Sequence, residues 1–181
     1  MLARTPQLYI PPISYPKRRN IFTDETVLHP SGALPETKAR LEALPFYTHV
    51  SIGSTGVNLV APLVSTEYYF CQALVVKGGF TSGIGLAHVI NSESPDEYIQ
   101  ALRASGLQGN MEGIIVMCPF NETMKGDFEE KCRAAGVQIN RIIEIPMASE
   151  DEAPQTDLIV NPIRRKVQIL TKGQAPQSID F

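Results

Sequence analysis

Cysteine and histidine are both scarce in this 181-residue chain, three of each. The cysteines, Cys71, Cys118 and Cys132, show no CxxC spacing, which argues against a disulfide framework or a cysteine-based zinc site. Only His29, His49 and His88 offer imidazoles, so a metal centre would have to gather carboxylates from scattered places, and neither a metal nor an organic cofactor is expected. No run approaches the roughly 18 apolar residues that a membrane-spanning helix needs. The opening Met1-Leu2-Ala3-Arg4-Thr5-Pro6 lacks the apolar stretch of a secretory signal. Positive charge is short as well: the net charge is −3 and the pI about 5.6, which argues against nucleic acid as a partner because no basic stripe is present to neutralise phosphates. Two short basic runs, Lys17-Arg18-Arg19 and Arg164-Arg165-Lys166, read as solvated turns or edges. The expected setting is a reducing cytoplasm, with no membrane insertion.

What is present is the composition of one ordinary globular domain, 43% hydrophobic and 19% charged, long enough to bury a real core. Residues 1–34 carry Pro6, Pro11, Pro12, Pro16 and Pro30 without apolar periodicity and read as an extended or disordered arm. Residues 35–174 read as a single α/β domain, and 175–181 as a tail.

Within the domain, Pro35 suits a first helical position and opens a short helix that Pro45 stops. Phe46 to Ile52 and Gly56 to Pro62 read as a hairpin around Gly53-Ser54-Thr55. Ser65 to Val76 reads as one long strand. Its alternation puts Tyr69, Cys71, Ala73 and Val75 on one face, with Phe70, Leu74 and Val76 on the other. A glycine-rich connection, Lys77 to Ile84, leads to a second apolar strand, Gly85-Leu86-Ala87-His88-Val89-Ile90. Ser94-Pro95-Asp96-Glu97 is a helix start with a capping-box pattern, and Gly106 ends that helix. Met111 to Cys118 is a buried strand. A second helix then carries Met124, Phe128 and Cys132 on one apolar stripe. Val137 to Pro146 is a further strand, Ser149 to Glu152 an acidic loop, and Leu158 to Pro162 pairs with Lys166 to Thr171 as a hairpin. Mixed strands followed by helices alternating with strands predict a mixed β-sandwich flanked by helices.

Candidate chemistry concentrates on Cys71 and His88. They lie on two strands that one turn can make neighbours, which would bring a thiol nucleophile within reach of an imidazole base. Cys132 on its helical stripe reads as packing, and so does Cys118 in a buried strand. His49 has no companion motif and His29 falls in the arm. Gly53-Ser54-Thr55-Gly56 lacks the Lys-Ser/Thr ending of a phosphate-binding loop. Thr81-Ser82-Gly83 does not give a serine nucleophile's Gly-x-Ser-x-Gly. Tyr68, Tyr69 and Phe70 suit a recognition surface or a strand beside the core.

The segment from about Val50 to Ile90 resembles the core of the CheD family of receptor glutamine deamidases, whose fold and Cys–His chemistry are shared with the catalytic domain of cytotoxic necrotizing factor. That family carries its histidine 17 positions after its cysteine, as His88 follows Cys71. The histidine sits in a stretch reading Gly-x-x-Ala-His-Val-x, which Gly85-Leu86-Ala87-His88-Val89-Ile90 follows with one residue fewer. A family threonine that orients the imidazole corresponds to Ser65. The element order continues alike to about Gln174. Where the family has Leu-Gly-x-Gly-Ser before the nucleophile, this chain has Glu67-Tyr68-Tyr69-Phe70.

The resemblance implies a protein glutamine deamidase in which Cys71 attacks, His88 transfers protons and Ser65 orients the imidazole. Backbone amides near Cys71 would serve the oxyanion, and the partner would be a protein substrate, a chemoreceptor or a host protein. Two alternatives stay open: a catalytically inactive binding module, and a transglutaminase or small-amide hydrolase on the same scaffold. A paired cysteine of this kind is expected to be largely thiolate near pH ~6.

Overall fold

The computed structural model describes residues 30–78, 83–91, 93–117, 122–147 and 153–181. The first 29 residues, Gly79 to Ser82, Ser92, Cys118 to Asn121 and Ala148 to Glu152 lie outside the described residues, and with them the expectations for His29, Cys118, the acidic loop and most of the arm. Nor do the described side chains include that of Met124.

Among the described residues are three helices: α1 (Pro35–Glu42), α2 (Pro95–Ala104) and α3 (Glu122–Ala134). One five-stranded sheet consists, in spatial order, of β1 (Thr48–His49), β3 (Leu63–Tyr68), β8 (Thr156–Asn161), β9 (Lys166–Thr171) and β10 (Gln177–Asp180). The other consists, in the same sense, of β2 (Thr55–Asn58), β5 (Ile84–Val89), β4 (Gln72–Gly78), β6 (Met111–Met117) and β7 (Val137–Glu144). Each sheet mixes directions: β1 runs parallel to β3 and β6 parallel to β7, and the remaining pairs are antiparallel. The protein is therefore a mixed α/β structure.

Strand alternation sorts the core into three layers. Leu63, Leu158, Val160, Val167 and Ile169 of the first sheet meet Ala73, Val75, Ile84, Leu86 and Val116 of the second in one cluster. On the second sheet's far face, Leu74, Val76, Ala87 and Val89 pack under Ile99 and Leu102 of α2 and Phe128 and Cys132 of α3. On the first sheet's far face, Val64, Ile159 and Leu170 receive Leu41 of α1 together with Leu34 and Tyr47. Each fully buried aliphatic side chain stabilises this arrangement by about 1.5–3 kcal/mol relative to exposure.

Several expectations move. The long strand from Ser65 to Val76 is two strands in different sheets, because the chain bends at Tyr69 and Phe70 and crosses the sandwich there. The segments around Gly53 to Thr55 do not form a hairpin: β1 pairs with β3 and β2 with β5, so that turn also joins two sheets. The arm's boundary at residue 34 is too late, since Ala33 and Leu34 are buried. The supposed tail contains β10, which completes the first sheet alongside β9. At α2, Ser94 is the N-cap and Pro95 the first helical residue, but the Ser94 hydroxyl bonds to Asp96 Oδ2 at 2.5 Å, not to the helix backbone. Among the described residues no helix is long and apolar enough to cross a membrane.

Candidate functional site

The two sheet-to-sheet crossings converge at one place. His88 lies near the end of β5 and is wholly buried. Its cross-strand partner is Ala73, and its neighbours on the same face, Ile84 and Leu86, belong to the inter-sheet core. Cys71 stands one residue before β4, half-buried, and packs against that same core. It lies two positions before Ala73, the cross-strand partner of His88, and outside the paired residues of β4, which begin at Gln72. Among the described residues Nε2 of His88 has no hydrogen-bond partner, so the Cys71 thiol is not hydrogen-bonded to it.

Ser65, in β3 of the opposite sheet, closes the third side. Its Oγ is 2.7 Å from the Val50 carbonyl oxygen and 2.9 Å from His88 Nδ1. A carbonyl only accepts, so the single hydroxyl proton of Ser65 goes to Val50, and His88 Nδ1–H must donate to the Ser65 oxygen. The proton therefore sits on Nδ1. Nε2 carries a lone pair, and among the described residues it has no hydrogen-bond partner although it is buried. That is the tautomer a general base requires.

The remaining wall is Tyr68. Its ring stacks on the imidazole with centroids 3.7 Å apart and planes 12° from parallel. Its hydroxyl is buried and unpartnered among the described residues. Burial pushes the phenol far above its ordinary value, and the nearby Ser65 hydroxyl offsets only part of that push. Tyr68 is neutral at every physiological pH.

The electrostatics run against the expected ion pair. Burial lowers His88 from 6.5 to about 4, and the nearby His49 adds to the effect. Burial also raises the Cys71 thiol; the Asn91 N–H at the sulfur works in the opposite direction, and the carboxylate of Glu93 reinforces the rise. Each charged form would have to leave water without enough compensation. Both shifts favour a neutral thiol and a neutral imidazole, against the expectation of a largely ionised Cys71 near pH ~6.

Of the residues singled out from sequence, Ser65 and His88 are hydrogen-bonded to each other, and Cys71 packs against the same inter-sheet core without a hydrogen bond to Nε2 of His88 among the described residues. Cys132 is buried on α3, where burial raises its thiol to about 12. His49 lies in β1, half-buried. The sequence reading missed Tyr68 as a ring partner, and it missed Val50 and Asn91. Asn91 is held by Gln72, whose Nε2 donates to Asn91 Oδ1 at 2.7 Å. The antiparallel register of β4 and β5 could have found it, because that register carries residues just after His88 back toward Cys71. Tyr69 and Phe70 are exposed beside the site, whereas Tyr68 is core. Among the described residues no cluster of side chains suits a metal ion.

No protein-family model matches this chain, and a search of curated proteins returns no match.

Proposed function

We propose that this protein hydrolyses a side-chain carboxamide, as a cysteine-dependent protein glutamine deamidase of the CheD and necrotizing-factor type. The observation that carries the reading is the imidazole of His88. Its Nδ1–H is committed to Ser65, its Nε2 is buried without a hydrogen-bond partner among the described residues, and Cys71 packs against the same inter-sheet core two positions before the cross-strand partner Ala73. The residues that make the resemblance are these three.

The reaction starts from the neutral pair. As the Cys71 sulfur attacks the amide carbon, its proton passes to His88 Nε2, and the Asn91 N–H stabilises charge on the sulfur. The C–N bond then breaks, the nitrogen leaves as ammonia with the proton from Nε2, and a thioester remains on Cys71. Water, losing a proton to Nε2, attacks the thioester; the C–S bond breaks and the sulfur regains its proton. The sum is glutamine plus water giving glutamate plus ammonium. Ser65 keeps Nε2 aimed throughout by holding Nδ1–H. No step calls for a metal or an organic cofactor.

The test is ammonia release and heavy-oxygen incorporation from labelled water into glutamine side chains of folded helical-bundle proteins and unstructured glutamine-rich peptides, with Cys71→Ser as control. Wild-type release that the control lacks supports the reading; no release from either class of substrate rejects it. An added primary amine that diverts product from acid to substituted amide would make the enzyme a transglutaminase.

A second reading, a binding module without turnover, is favoured by one specific observation. Among the described residues Cys71 makes no hydrogen bond to Nε2 of His88, and burial raises its thiol. Under that reading Cys71 alkylation is slow and indifferent to His88.

A further inference from the structure

β3 contains an irregularity that decides which residues face the candidate site. It pairs with β8 as Ser65↔Leu158 and then as Tyr68↔Thr156, so three steps on one strand match two on the other. Before this point, Leu63 and Ser65 face the inter-sheet core while Val64 faces α1. Continued without interruption, the alternation would send Tyr68 to the α1 side with Val64. The extra residue reverses it, so Tyr68 enters the inter-sheet core and stacks on His88. The bulge thus adds Tyr68 to the imidazole that Ser65 already faces.

The extra residue is Glu67, and its φ is 66°. For a residue with a Cβ this left-handed conformation is strained, and it persists where surrounding structure imposes it. The imposing group is Asp157, in β8. Its side chain is wholly buried. Oδ1 accepts the Glu67 N–H at 3.0 Å. Oδ2 accepts the Leu34 N–H at 2.8 Å and the Thr37 hydroxyl at 2.7 Å, at the N-terminus of α1. The carboxylate therefore clamps the bulge with one oxygen and α1 with the other. Glu67's side chain also lies against Gly32, whose carbonyl accepts from Gln155 Nε2 at 2.5 Å, so the same junction holds the turn before α1.

We infer that Asp157 is a positioning residue for the candidate site: by holding Glu67 in the left-handed conformation, it presents Tyr68 to the His88 imidazole that Ser65 already faces. A neutral amide at this position keeps only one acceptor oxygen and offers N–H to donors. The side chain in Asp157→Asn could serve α1 or the bulge, not both. The consequence for turnover rests on the deamidase reading above, while the consequence for His88 does not.

The test is the nitrogen-correlated imidazole spectrum of the full chain, with His88 assigned by its loss in His88→Gln. In wild type, His88 should be the Nδ1–H tautomer, displaced upfield by the Tyr68 ring. Asp157→Asn should give mixed tautomers, reduce the ring displacement, and lower kcat about tenfold or more with KM little changed. Glu67→Gly removes the backbone strain, since glycine adopts positive φ freely. The double variant Asp157→Asn with Glu67→Gly should therefore recover the wild-type His88 signals. Thr37→Val, which loosens only the α1 end, should lower stability and leave His88 unmoved.

An Asp157→Asn protein with wild-type His88 signals would overturn the inference, as would a Thr37→Val protein that disturbs His88 equally. Should Asp157→Asn alone fail to fold, the double variant decides: a folded protein with native His88 signals supports the clamp, and a double variant no better folded than the single rejects it. His88 signals that respond as expected in a protein releasing no ammonia would keep the clamp and discard the deamidase.

Discussion

The phenol of Tyr68 lies flat on the imidazole of His88, 3.7 Å between ring centroids, although the two residues come from strands of different sheets. The contact crosses the sandwich at the point where Ser65 takes the imidazole's Nδ1–H. One face of His88 is thus closed by an aromatic ring and one nitrogen by a hydroxyl. The Tyr68 hydroxyl gains nothing comparable, being buried and unpartnered among the described residues. Tyr68→Phe keeps the stack and removes that hydroxyl, so stability should hold or rise by up to about 1 kcal/mol. Tyr68→Ala empties the space and should cost about 3–5 kcal/mol. Denaturant midpoints for the two variants check this; a Phe variant as destabilised as the Ala variant would show that the hydroxyl, not the ring, is what the site uses.

Burial of His88 should make the fold sensitive to mild acid. Its folded value is about 4 against 6.5 in the open chain. Between those values the unfolded chain binds a proton that the folded protein refuses. Stability from this group is therefore complete above 6.5, falls as pH drops from 6.5 to about 4, and loses nothing more below that. One such proton gives a slope of at most about 1.4 kcal/mol per pH unit. Urea unfolding of wild type and His88→Gln across this window isolates the term, because carboxylates common to both proteins cancel. Identical pH slopes would mean that His88 is not neutral in the folded state.

Raised thiols at Cys71 and Cys132 predict slow alkylation of both at neutral pH, for different reasons. Cys71 is half-buried, so its reaction with iodoacetamide should climb with pH to a midpoint above the ordinary cysteine value. Cys132, fully buried and raised to about 12, should stay unlabelled until the protein unfolds. Peptide mass spectrometry across about pH 5 to about 10 reads both. Rapid labelling of Cys71 at about pH 6 would instead reveal a thiolate–imidazolium pair, and the neutral resting state would be wrong.

Much of this arrangement was legible in the residues. The pattern around His88, the helix start at Ser94-Pro95 and the stripe of Phe128 and Cys132 each reflect local periodicity, and each recurs in the structure. Gly85 in the His88 strand also has a local reason. A Cβ there would stand 2.6 Å from Leu107 Cδ1 and 2.7 Å from Leu102 Cδ2, so the residue keeps room for α2 and the segment after it.

What the sequence concealed was non-local. Glu67 takes a left-handed conformation that sequence reasoning would assign to glycine, and the cause is a carboxylate 90 residues away. The same hidden bulge turned Tyr68 inward, and the crossing at Tyr69-Phe70 divided what read as one strand. An unbroken β-prone run carries no mark of where it changes sheets.

Ser65 offers the sharpest separation between holding the fold and tuning the base. Ser65→Ala leaves the Val50 carbonyl and the His88 Nδ1–H without the partner each has now, at about 1–3 kcal/mol for each buried group orphaned. With no acceptor at Nδ1 the imidazole's proton should redistribute toward Nε2, which removes the lone pair that would receive the Cys71 proton. Under the deamidase reading proposed above, turnover should then fall about a hundredfold or more, in kcat and not KM. Ser65→Thr retains the hydroxyl and should restore both the Nδ1–H tautomer and the activity. The imidazole spectrum distinguishes the two roles. A Ser65→Ala protein that is less stable but keeps the wild-type tautomer would confine Ser65 to packing, and His88 would need another residue to hold its proton in place.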